Sequence, residues 1–196
     1  MKKITYKLYP KITDVLIQHR FDCFNESLNY YKDLNSAKET YDEYSFHLCL
    51  FIDDNLAAYT RLTPCPNNYM NHTSKEKINL PNDENTLEMG RTIVLPEYRG
   101  IKLVSLILLI GLYISETIGY KVAIGNESYE AHLKMPTDNG WEFMNIIADF
   151  EMPFSNKGYH KFYLIKCDLE KSKAVREQRV NEFKKWFEDK DLNLII

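Results

Sequence analysis

Apolar and polar positions along the chain follow two spacings, and each spacing predicts one kind of element. Short segments that alternate in polarity, or that are uniformly apolar between turn residues, predict strands. Segments in which apolar residues recur every three to four positions predict helices. Strands are therefore predicted at residues 3–9, 46–52, 56–62, 87–95, 120–125, 143–147 and 161–167, and helices at 13–31, 102–117 and 169–190.

The order of these elements predicts a single-domain α/β fold with a mixed central sheet flanked by helices. The strand at 87–95, the helix at 102–117 and the strand at 120–125 form a strand–helix–strand unit. Its two strands are expected to run parallel, because the helix carries the chain back along the sheet. Hairpins precede and follow this unit. We expect these elements to form one domain at residues 1–168.

The C-terminal part of the chain predicts an amphipathic helix appended to this domain. Residues 169–190 are highly charged, while Val180, Phe183 and Phe187 recur at helical spacing. Such a helix packs its apolar face on the protein and leaves its charged face in water. We expect residues 169–196 to be an addition to the core domain.

The longest segment without a clear apolar period is residues 64–86. It is polar and holds Pro64, Pro66 and Pro81 together with several asparagines. A connection of this length is uncommon inside a compact domain unless it covers a site or binds a ligand. We therefore expect a lid or a binding loop here.

Composition and charge exclude several classes of function. The chain has 196 residues, a formal net charge of −3 and a pI near 6.0, whereas nucleic-acid-binding proteins are usually basic. The apolar run from Leu103 to Ile114 is shorter than the roughly 20 residues that span a bilayer, and the first residues lack the apolar stretch of a signal peptide. The four cysteines and five histidines show no metal-ligand spacing. We expect a cytoplasmic protein without a metal or stable membrane insertion.

The most informative segment is Glu88 to Gly100, which leads into the apolar run that begins at Leu103. A strand that opens into a glycine-containing turn and then a helix is a recurring phosphate site. The free N–H groups at the start of the helix point at the anion, and the helix dipole adds partial positive charge.

This segment, Val94-Leu95-Pro96-Glu97-Tyr98-Arg99-Gly100, resembles the acyl-donor-binding core of the GNAT acyltransferase superfamily, which often has the pattern V-x-P-E-Y-R-G. The resemblance implies that a pantetheine arm lies between strands at 91–95 and 121–125. It also implies a phosphate at the turn from Arg99 to Leu103. The donor-binding residues that it implies are Ile93, Val94, Leu95, Arg99, Gly100, Ile101, Lys102 and Leu103. Lys102 and Val104 stand where family members that bind coenzyme A usually have small residues.

A second set of motifs resembles the acyl-homoserine-lactone synthases and the related N-acyl amino acid synthases, which are GNAT-like enzymes that take acyl groups from acyl carrier protein. The order and approximate spacing agree over residues 20 to 100. Ser45 stands near the position of the second acid of their acidic region, although Glu43 could substitute for that acid. The matching motifs are Arg20 with Phe24, Asp42-Glu43-Tyr44-Ser45, Arg61-Leu62-Thr63-Pro64, and Glu88 with Arg91.

The resemblance implies a catalytic role for Glu88 and Arg91. Glu88 is a general base for the attacking amine, or else a strand-end carboxylate paired with Arg91. In a regular strand these two side chains point to opposite faces. They can share one site only if the strand bulges, and Gly90 between them is a natural place for a bulge.

The other matching residues are candidates for the acceptor site. Arg61 could hold an acceptor carboxylate bidentately, or it could be a solvated strand-end arginine. We expect Arg20 to form a structural ion pair with Asp42, and Phe24 to belong to the core together with Tyr30 and Tyr31. Many GNAT enzymes use a tyrosine as general acid four residues before a Gly-Phe pair. Here the pair is Gly140-Trp141 and the tyrosine position is Pro136, so either Tyr129 serves or the thiolate leaves unaided.

We therefore predict an N-acyltransferase that moves an acyl chain to a primary amine. The acceptor that carries this amine is an amino acid or another small molecule. The donor is acyl-phosphopantetheine on acyl carrier protein or acyl-coenzyme A, and no cofactor is permanently bound. Two alternatives remain at this point: an acetyl-coenzyme A-dependent acetyltransferase, and a non-catalytic GNAT-like module that binds a thioester or a partner protein.

Overall fold

A computed structural model describes residues 2–65, 83–127, 134–151 and 159–195 of the chain. The strands are β1 (Lys2–Tyr9), β2 (Phe46–Ile52), β3 (Asn55–Pro64), β4 (Thr86–Val94), β5 (Val122–Glu127), β6 (Glu142–Glu151), β7 (Tyr159–Asp168) and β8 (Leu192–Leu194). The α-helices are α1 (Asp14–Leu28), α2 (Leu103–Thr117), α3 (Lys134–Asp138) and α4 (Lys173–Glu188). Three 3-10 segments are Asn35–Ala37, Thr40–Tyr44 and Pro96–Tyr98.

Every strand and helix predicted from the apolar pattern is present within a few residues of its predicted bounds. The 3-10 segments, α3 and β8 were not predicted, because elements of three to five residues are too short to show a period. Most of the predicted binding loop, residues 66–82, lies outside the described residues.

One eight-stranded sheet contains all the described strands, in the order β6-β7-β5-β4-β3-β2-β1-β8. β4 and β5 run parallel from Thr86 opposite Val122 to Met89 opposite Gly125, as the strand–helix–strand pattern predicts. β8 runs parallel to β1, and the remaining neighbours are antiparallel. The predicted mixed sheet flanked by helices is therefore confirmed.

Helix α1 covers one face of this sheet. The Thr13 side chain accepts a hydrogen bond from the Leu16 N–H at 3.3 Å and so caps the helix start. Leu16 then packs in a cluster with Tyr59 of β3 and Ile93 of β4. We call this the α1 face of the sheet.

Helix α2 covers the opposite face. Ten of its fifteen residues are buried, which explains why its sequence is apolar almost all round. Gly111 faces Met89 of β4 so closely that a Cβ at position 111 would lie 2.3 Å from the Met89 Cε. The helix can therefore lie directly on β4, and it fixes the strand that carries Glu88 and Arg91.

The C-terminal segment adds to both the core and the sheet. Phe183 and Phe187 of α4 are buried in the same apolar cluster as α2, and the chain then adds β8 beside β1. The division at residue 168 stays a prediction. Within the described part of the chain, no helix is long and apolar enough to cross a membrane.

Candidate active site

A bulge in β4 brings Glu88 and Arg91 to one face of the sheet. Ile93 lies opposite Tyr59 and Gly90 lies opposite Arg61, so one residue of β3 opposes two residues of β4. Arg91 has a φ of 57°, in the left-handed region, which turns its side chain to the α1 face. The predicted bulge is present at this position, with the unusual φ at Arg91 rather than at Gly90.

The position of Glu88 on the same face follows from its neighbours. A Cβ at position 90 would lie 3.3 Å from the Glu88 Oε1, and Met89 between them faces α2. The Glu88 side chain is only 3% exposed. It lies between Thr63 of β3 and Ile124 of β5 in the sheet. A carboxylate on a central strand is thus held inside the protein near the bulge.

The two central parallel strands separate just beyond Glu88. The β4–β5 ladder ends where Met89 lies opposite Gly125. β4 continues to Val94 beside β3, while β5 continues to Glu127 beside β7. Residues 92–94 therefore lie beyond the part of β4 that is paired with β5, and the Val94 carbonyl oxygen accepts a hydrogen bond from Arg99 Nε at 3.3 Å.

Arg20 and Asp42 form the ion pair that the sequence predicts. Two hydrogen bonds of 2.9 Å join Arg20 Nη1 and Nη2 to the two carboxylate oxygens of Asp42, and both side chains are buried. Arg20 Nη2 also donates to the Tyr59 hydroxyl at 2.6 Å. Burial raises the pKa of Asp42, but its hydrogen bonds from Arg20 and the charges of the nearby arginines outweigh this and lower it.

Glu39 is a central residue of the site that the sequence did not identify. Its Oε2 accepts a hydrogen bond from Arg61 Nη1 at 2.5 Å, and its Oε1 accepts one from Arg91 Nε at 2.7 Å and one from the Tyr31 hydroxyl at 3.1 Å. Burial raises the pKa of Glu39, yet the charges of Arg91 and Arg61 lower it to about 2. Glu39 is therefore an anion that bridges two arginines.

A local motif holds Glu39 in this position. Glu39 and Asp42 form a capping box at the start of the 3-10 segment Thr40–Tyr44: each side chain accepts a hydrogen bond from the backbone of the other. The Glu-x-x-Asp spacing is a signal that could have pointed to Glu39. It would have indicated a cap, but not the contacts with arginines on distant strands.

Arg61 is buried rather than solvated, with 1% of its side chain exposed. Nη1 donates to Glu39 and, at 3.1 Å, to Asp42. Nε and Nη2, which form one edge of the guanidinium group, are buried without a hydrogen-bond partner among the described residues. Leaving buried donors unpaired is costly. Among the described residues Arg61 has two such atoms, whereas Arg20, Trp141 and Arg176 have one each. We call the unpaired Nε–Nη2 side of Arg61 its open edge.

Aromatic side chains of α1 and the following turn surround Arg91. Its guanidinium carbon lies 5.9 Å from the centre of the Phe24 ring and 5.2 Å from that of Tyr30, and Nη2 donates to the Tyr30 hydroxyl at 3.2 Å. Phe24, Tyr30 and Tyr31 contact one another, and both tyrosines are buried. These residues belong to the core, as predicted, and they also form a wall beside Arg91.

Ser45, which stands near the position of the missing second acid, forms hydrogen bonds with neutral groups. The Ser45 hydroxyl bonds to the backbone oxygen of Tyr41 at 2.6 Å and to the Thr63 hydroxyl at 2.8 Å. Thr63 lies opposite Glu88 in the sheet. Glu43, the substitute acid, is exposed. Glu39, which is 11% exposed, is instead the second carboxylate beside Asp42.

His47 and Tyr59 extend the buried network, and the sequence identified neither. His47 Nδ1 lies 3.0 Å from the Tyr59 hydroxyl, and Nε2 lies 3.1 Å from the backbone oxygen of Asp42. Burial lowers the pKa of His47 to about 4 and raises that of Tyr59 to about 12. Both side chains are therefore neutral at pH 7.

The turn before α2 has the backbone expected of an anion site. Gly100 and Lys102 have φ angles of 84° and 60°, and α2 begins at Leu103. The first N–H groups of a helix have no partner within it and are available to a phosphate. The turn borders a cavity of about 420 Å³ that is lined by Val94, Tyr98, Arg99, Gly100, Lys102, Leu103, Val104, Ser105, Met135, Asp138 and Arg179.

The basic side chains of this turn have contacts of their own. Arg99 Nη2 donates to Glu26 of α1 at 2.6 Å, and the pair is about half exposed. The Lys102 ammonium lies 4.7 Å from the ring centre of Trp186 in α4. Helix α4 therefore borders the turn.

The other predicted donor-binding residues lie on both sides of the sheet. Ile93 and Leu95 are buried in the α1-face cluster, whereas Val94 and Leu103 are buried in the cluster around α2. Ile101 packs at the margin of that second cluster. The donor-binding residues predicted from the sequence form one continuous segment, but alternate residues of that segment face opposite sides of the sheet.

The structure describes one of the two positions considered for a general acid. Pro136 is buried in α3, and Tyr129 lies outside the described residues. Trp141 is buried on the α2 side, and its ring is 3.6 Å from a Cβ built at Gly125. It therefore packs where the β4–β5 ladder ends.

Part of the chain is similar to a known protein family. The family described as "Acetyltransferase (GNAT) domain" matches residues 19–109, which include Arg20, Asp42, Arg61, Glu88 and the turn before α2. No curated protein shows significant sequence similarity to the chain.

Solved structures share the fold at low sequence identity. The ribosomal-protein-S18-alanine N-acetyltransferase from Escherichia coli has a TM-score of 0.60 and 10% identity over 84% of this chain and 94% of that chain. An acetyltransferase from Bacillus subtilis in complex with coenzyme A has a TM-score of 0.59 and 16% identity, over 84% of this chain and 98% of that chain. A spermidine N-acetyltransferase chimera that includes Vibrio cholerae sequence has a TM-score of 0.61 and 15% identity, over 86% of this chain and 97% of that chain. The eight-stranded mixed sheet has the GNAT fold, and the match of residues 19–109 to the GNAT acetyltransferase family supports an acyltransferase.

Proposed function

We propose that the chain is an N-acyltransferase that moves an acyl group from a phosphopantetheine thioester to the primary amine of an amino acid. The observation that supports this most strongly is the bulge at Gly90 and Arg91, which puts Glu88 and Arg91 on one face where β4 and β5 separate. The order of Arg20, Asp42, Arg61 and Glu88 favours the branch of acyl-homoserine-lactone and N-acyl amino acid synthases.

Glu88 is the proposed general base. An amine attacks only as the neutral form, so its ammonium must first lose a proton, which Glu88 accepts directly or through water. The nitrogen then attacks the thioester carbonyl, and the developing negative charge on the oxygen is stabilised by N–H donors. The C–S bond breaks and the thiolate leaves, while the attacking nitrogen gives its extra proton to the thiolate or to water, so that the amide and the thiol are the products. Because a thiolate is a good leaving group, no dedicated general acid is required.

The proposed donor site is the open side of β4 and the turn from Arg99 to Leu103. The pantetheine arm would lie along β4 where this strand separates from β5, and the phosphate would meet the N–H groups at the start of α2. Lys102 and Val104 replace small residues and leave less room for a pyrophosphate to be wrapped by the backbone. This favours the single phosphate of acyl carrier protein, whose acidic surface suits Arg99 and Lys102.

The proposed acceptor site is the charge cluster on the α1 face. Arg61 lies opposite Gly90, and Thr63 two residues later lies opposite Glu88, so Arg61 and Glu88 are diagonal neighbours on adjacent strands. Such neighbours are about 7–8 Å apart. An α-amino acid carries its amine and carboxylate on one carbon, so it can present the amine to Glu88 while its carboxylate takes the open Nε–Nη2 edge of Arg61.

The test is a matrix of donors and acceptors. The purified protein is incubated with acyl carrier protein and coenzyme A thioesters of two to sixteen carbons, each with the common amino acids and with the corresponding decarboxylated amines. Thiol release and mass spectrometry report the product. We expect N-acyl amino acids to form from the carrier-protein donors. Absence of any amide product across the matrix would overturn the proposal.

A second candidate is an acetyl-coenzyme A-dependent acetyltransferase. It is favoured by the matched family and by the fold neighbours, which are named as acetyltransferases and include a coenzyme A complex. The same matrix separates the two. If acetyl-coenzyme A has a higher kcat/KM than every long-chain donor, the acetyltransferase is correct and the carrier-protein donor is wrong.

A further inference from the structure

Glu39 makes contacts that an ordinary helix cap does not need. A cap requires only one side-chain oxygen for the nearby backbone N–H. Glu39 also bonds to Arg61 on β3 and to Arg91 on the β4 bulge, although these residues lie 22 and 52 positions away. Its side chain is 11% exposed, so these charge pairs are largely shielded from water.

The hydrogen bonds of Glu39 determine which nitrogen atoms of Arg61 remain without a partner. Glu39 and Asp42 both accept from Nη1, which fixes the guanidinium group and leaves Nε and Nη2 without a partner among the described residues. Asp42 is itself held by the two hydrogen bonds from Arg20. Without Glu39, the Nη1 end of Arg61 would compete with the open edge for any anionic group.

Glu39 also allows the two guanidinium groups to lie near each other. Arg61 and Arg91 both carry a positive charge on the same face, and their mutual repulsion is strong where water is excluded. One carboxylate that accepts from both groups offsets this repulsion and sets their spacing. Glu39 touches neither reacting group, so any effect on catalysis must act through the arginines.

We propose that Glu39 is a positioning residue that aims the open edge of Arg61 at the carboxylate of the acceptor and so places the acceptor amine beside Glu88. This rests on the proposed acceptor site. If Glu39 is changed, an acceptor carboxylate still finds a guanidinium group, but at Nη1 instead of at the Nε–Nη2 edge. The amine is then displaced from the thioester, and displacement by about 1 Å can cost roughly 100-fold in rate.

The experiment measures the ratio of kcat for an amino acid to kcat for its decarboxylated amine, in the wild type and in Glu39→Gln and Glu39→Asp. We expect both variants to lower this ratio by roughly 10- to 100-fold, with little rise in KM for the amino acid. Glu39→Asp keeps the charge, so it provides the test if Glu39→Gln does not fold. The matched control is Glu116→Gln, which removes the carboxylate that forms an ion pair with Arg176, another fully buried arginine. Its ratio should equal that of the wild type.

Two outcomes would overturn the inference. A merely structural Glu39 would lower kcat for both acceptors alike, in step with the melting temperature, and the ratio would stay unchanged. An unchanged ratio with unchanged melting would show that Glu39 does not act on Arg61. Failure of the proposed function is distinct, because the wild-type protein would then acylate neither acceptor.

Discussion

Arg61 of β3 lies directly opposite Gly90 of β4, and a Cβ at position 90 would come within 3.3 Å of the Glu88 Oε1. The glycine therefore does more than permit a bulge. It leaves the space in which the Glu88 carboxylate lies, beside the arginine proposed to bind the acceptor. A change at this position acts on the geometry of the site without removing any charged group.

Gly90→Ala should lower activity without lowering stability. The added methyl group must push the Glu88 carboxylate by a few tenths of an ångström, because 3.3 Å is tighter than ordinary contact. The backbone at position 90 has no positive φ, and alanine loses less backbone entropy than glycine on folding. We expect kcat to fall by roughly 10-fold with an equal or higher melting temperature. Normal kcat would show that the position of Glu88 does not matter for turnover.

Glu88→Gln tests the proposed base. Glutamine keeps the size and hydrogen-bonding capacity of the side chain but cannot accept the proton. We expect kcat to fall by ~10²–10⁴-fold at neutral pH, with normal donor binding. Higher pH should restore part of this loss, because more of the amine arrives deprotonated. A loss that is equal at every pH and accompanied by earlier melting would assign Glu88 to the structure alone.

Arg61→Ala tests the acceptor site. We expect KM for an amino acid to rise while KM for its decarboxylated amine hardly changes, because only the amino acid uses the guanidinium edge. Arg61→Lys should restore binding only in part, since an ammonium group cannot reproduce the planar fork. Paired steady-state kinetics with the two acceptors provide the measurement. Equal effects on both would assign Arg61 to folding or to the donor site.

Lys102→Glu tests the proposed carrier-protein donor. The residue borders the turn before α2, where an acidic carrier would approach. We expect KM for acyl carrier protein to rise, more at low ionic strength than at high, because exposed charges are screened by salt. Melting measured in parallel controls for the lost contact with Trp186. If the carrier KM is insensitive to this change at low salt, Lys102 is not part of the docking surface.

The buried His47 predicts how stability depends on pH. Burial lowers its pKa in the folded protein to about 4, whereas an unfolded histidine titrates near pH 6.5. Between these values the unfolded state binds more protons, so the free energy of unfolding falls as the pH drops from about 6.5 towards 4. His47→Gln should reduce this slope, as measured by urea unfolding at pH 7 and pH 5. An identical slope in the variant would exclude His47 as its source.

The sequence by itself determined the order of the elements and several local features of the site. Apolar periodicity reflects which face of an element is buried. It was therefore sufficient to predict the strands, the main helices and the parallel pairing of β4 and β5. Gly100 marked the turn before α2, because its φ of 84° requires the backbone freedom of a glycine. Gly90 marked the bulge by its position alone, since the positive φ lies at Arg91. The ion pair of Arg20 and Asp42 followed from a known order of motifs.

Only the tertiary structure decided how the charges are arranged. Glu39 lies within a short 3-10 segment, and its two arginine partners come from separate strands that the sheet brings together. Arg61 was expected either to bind an acceptor or to be solvated, and the fold buried it with one edge open. A contact between distant residues, and the degree to which water is excluded from it, depend on how whole elements pack. No period or spacing within one segment carries that information.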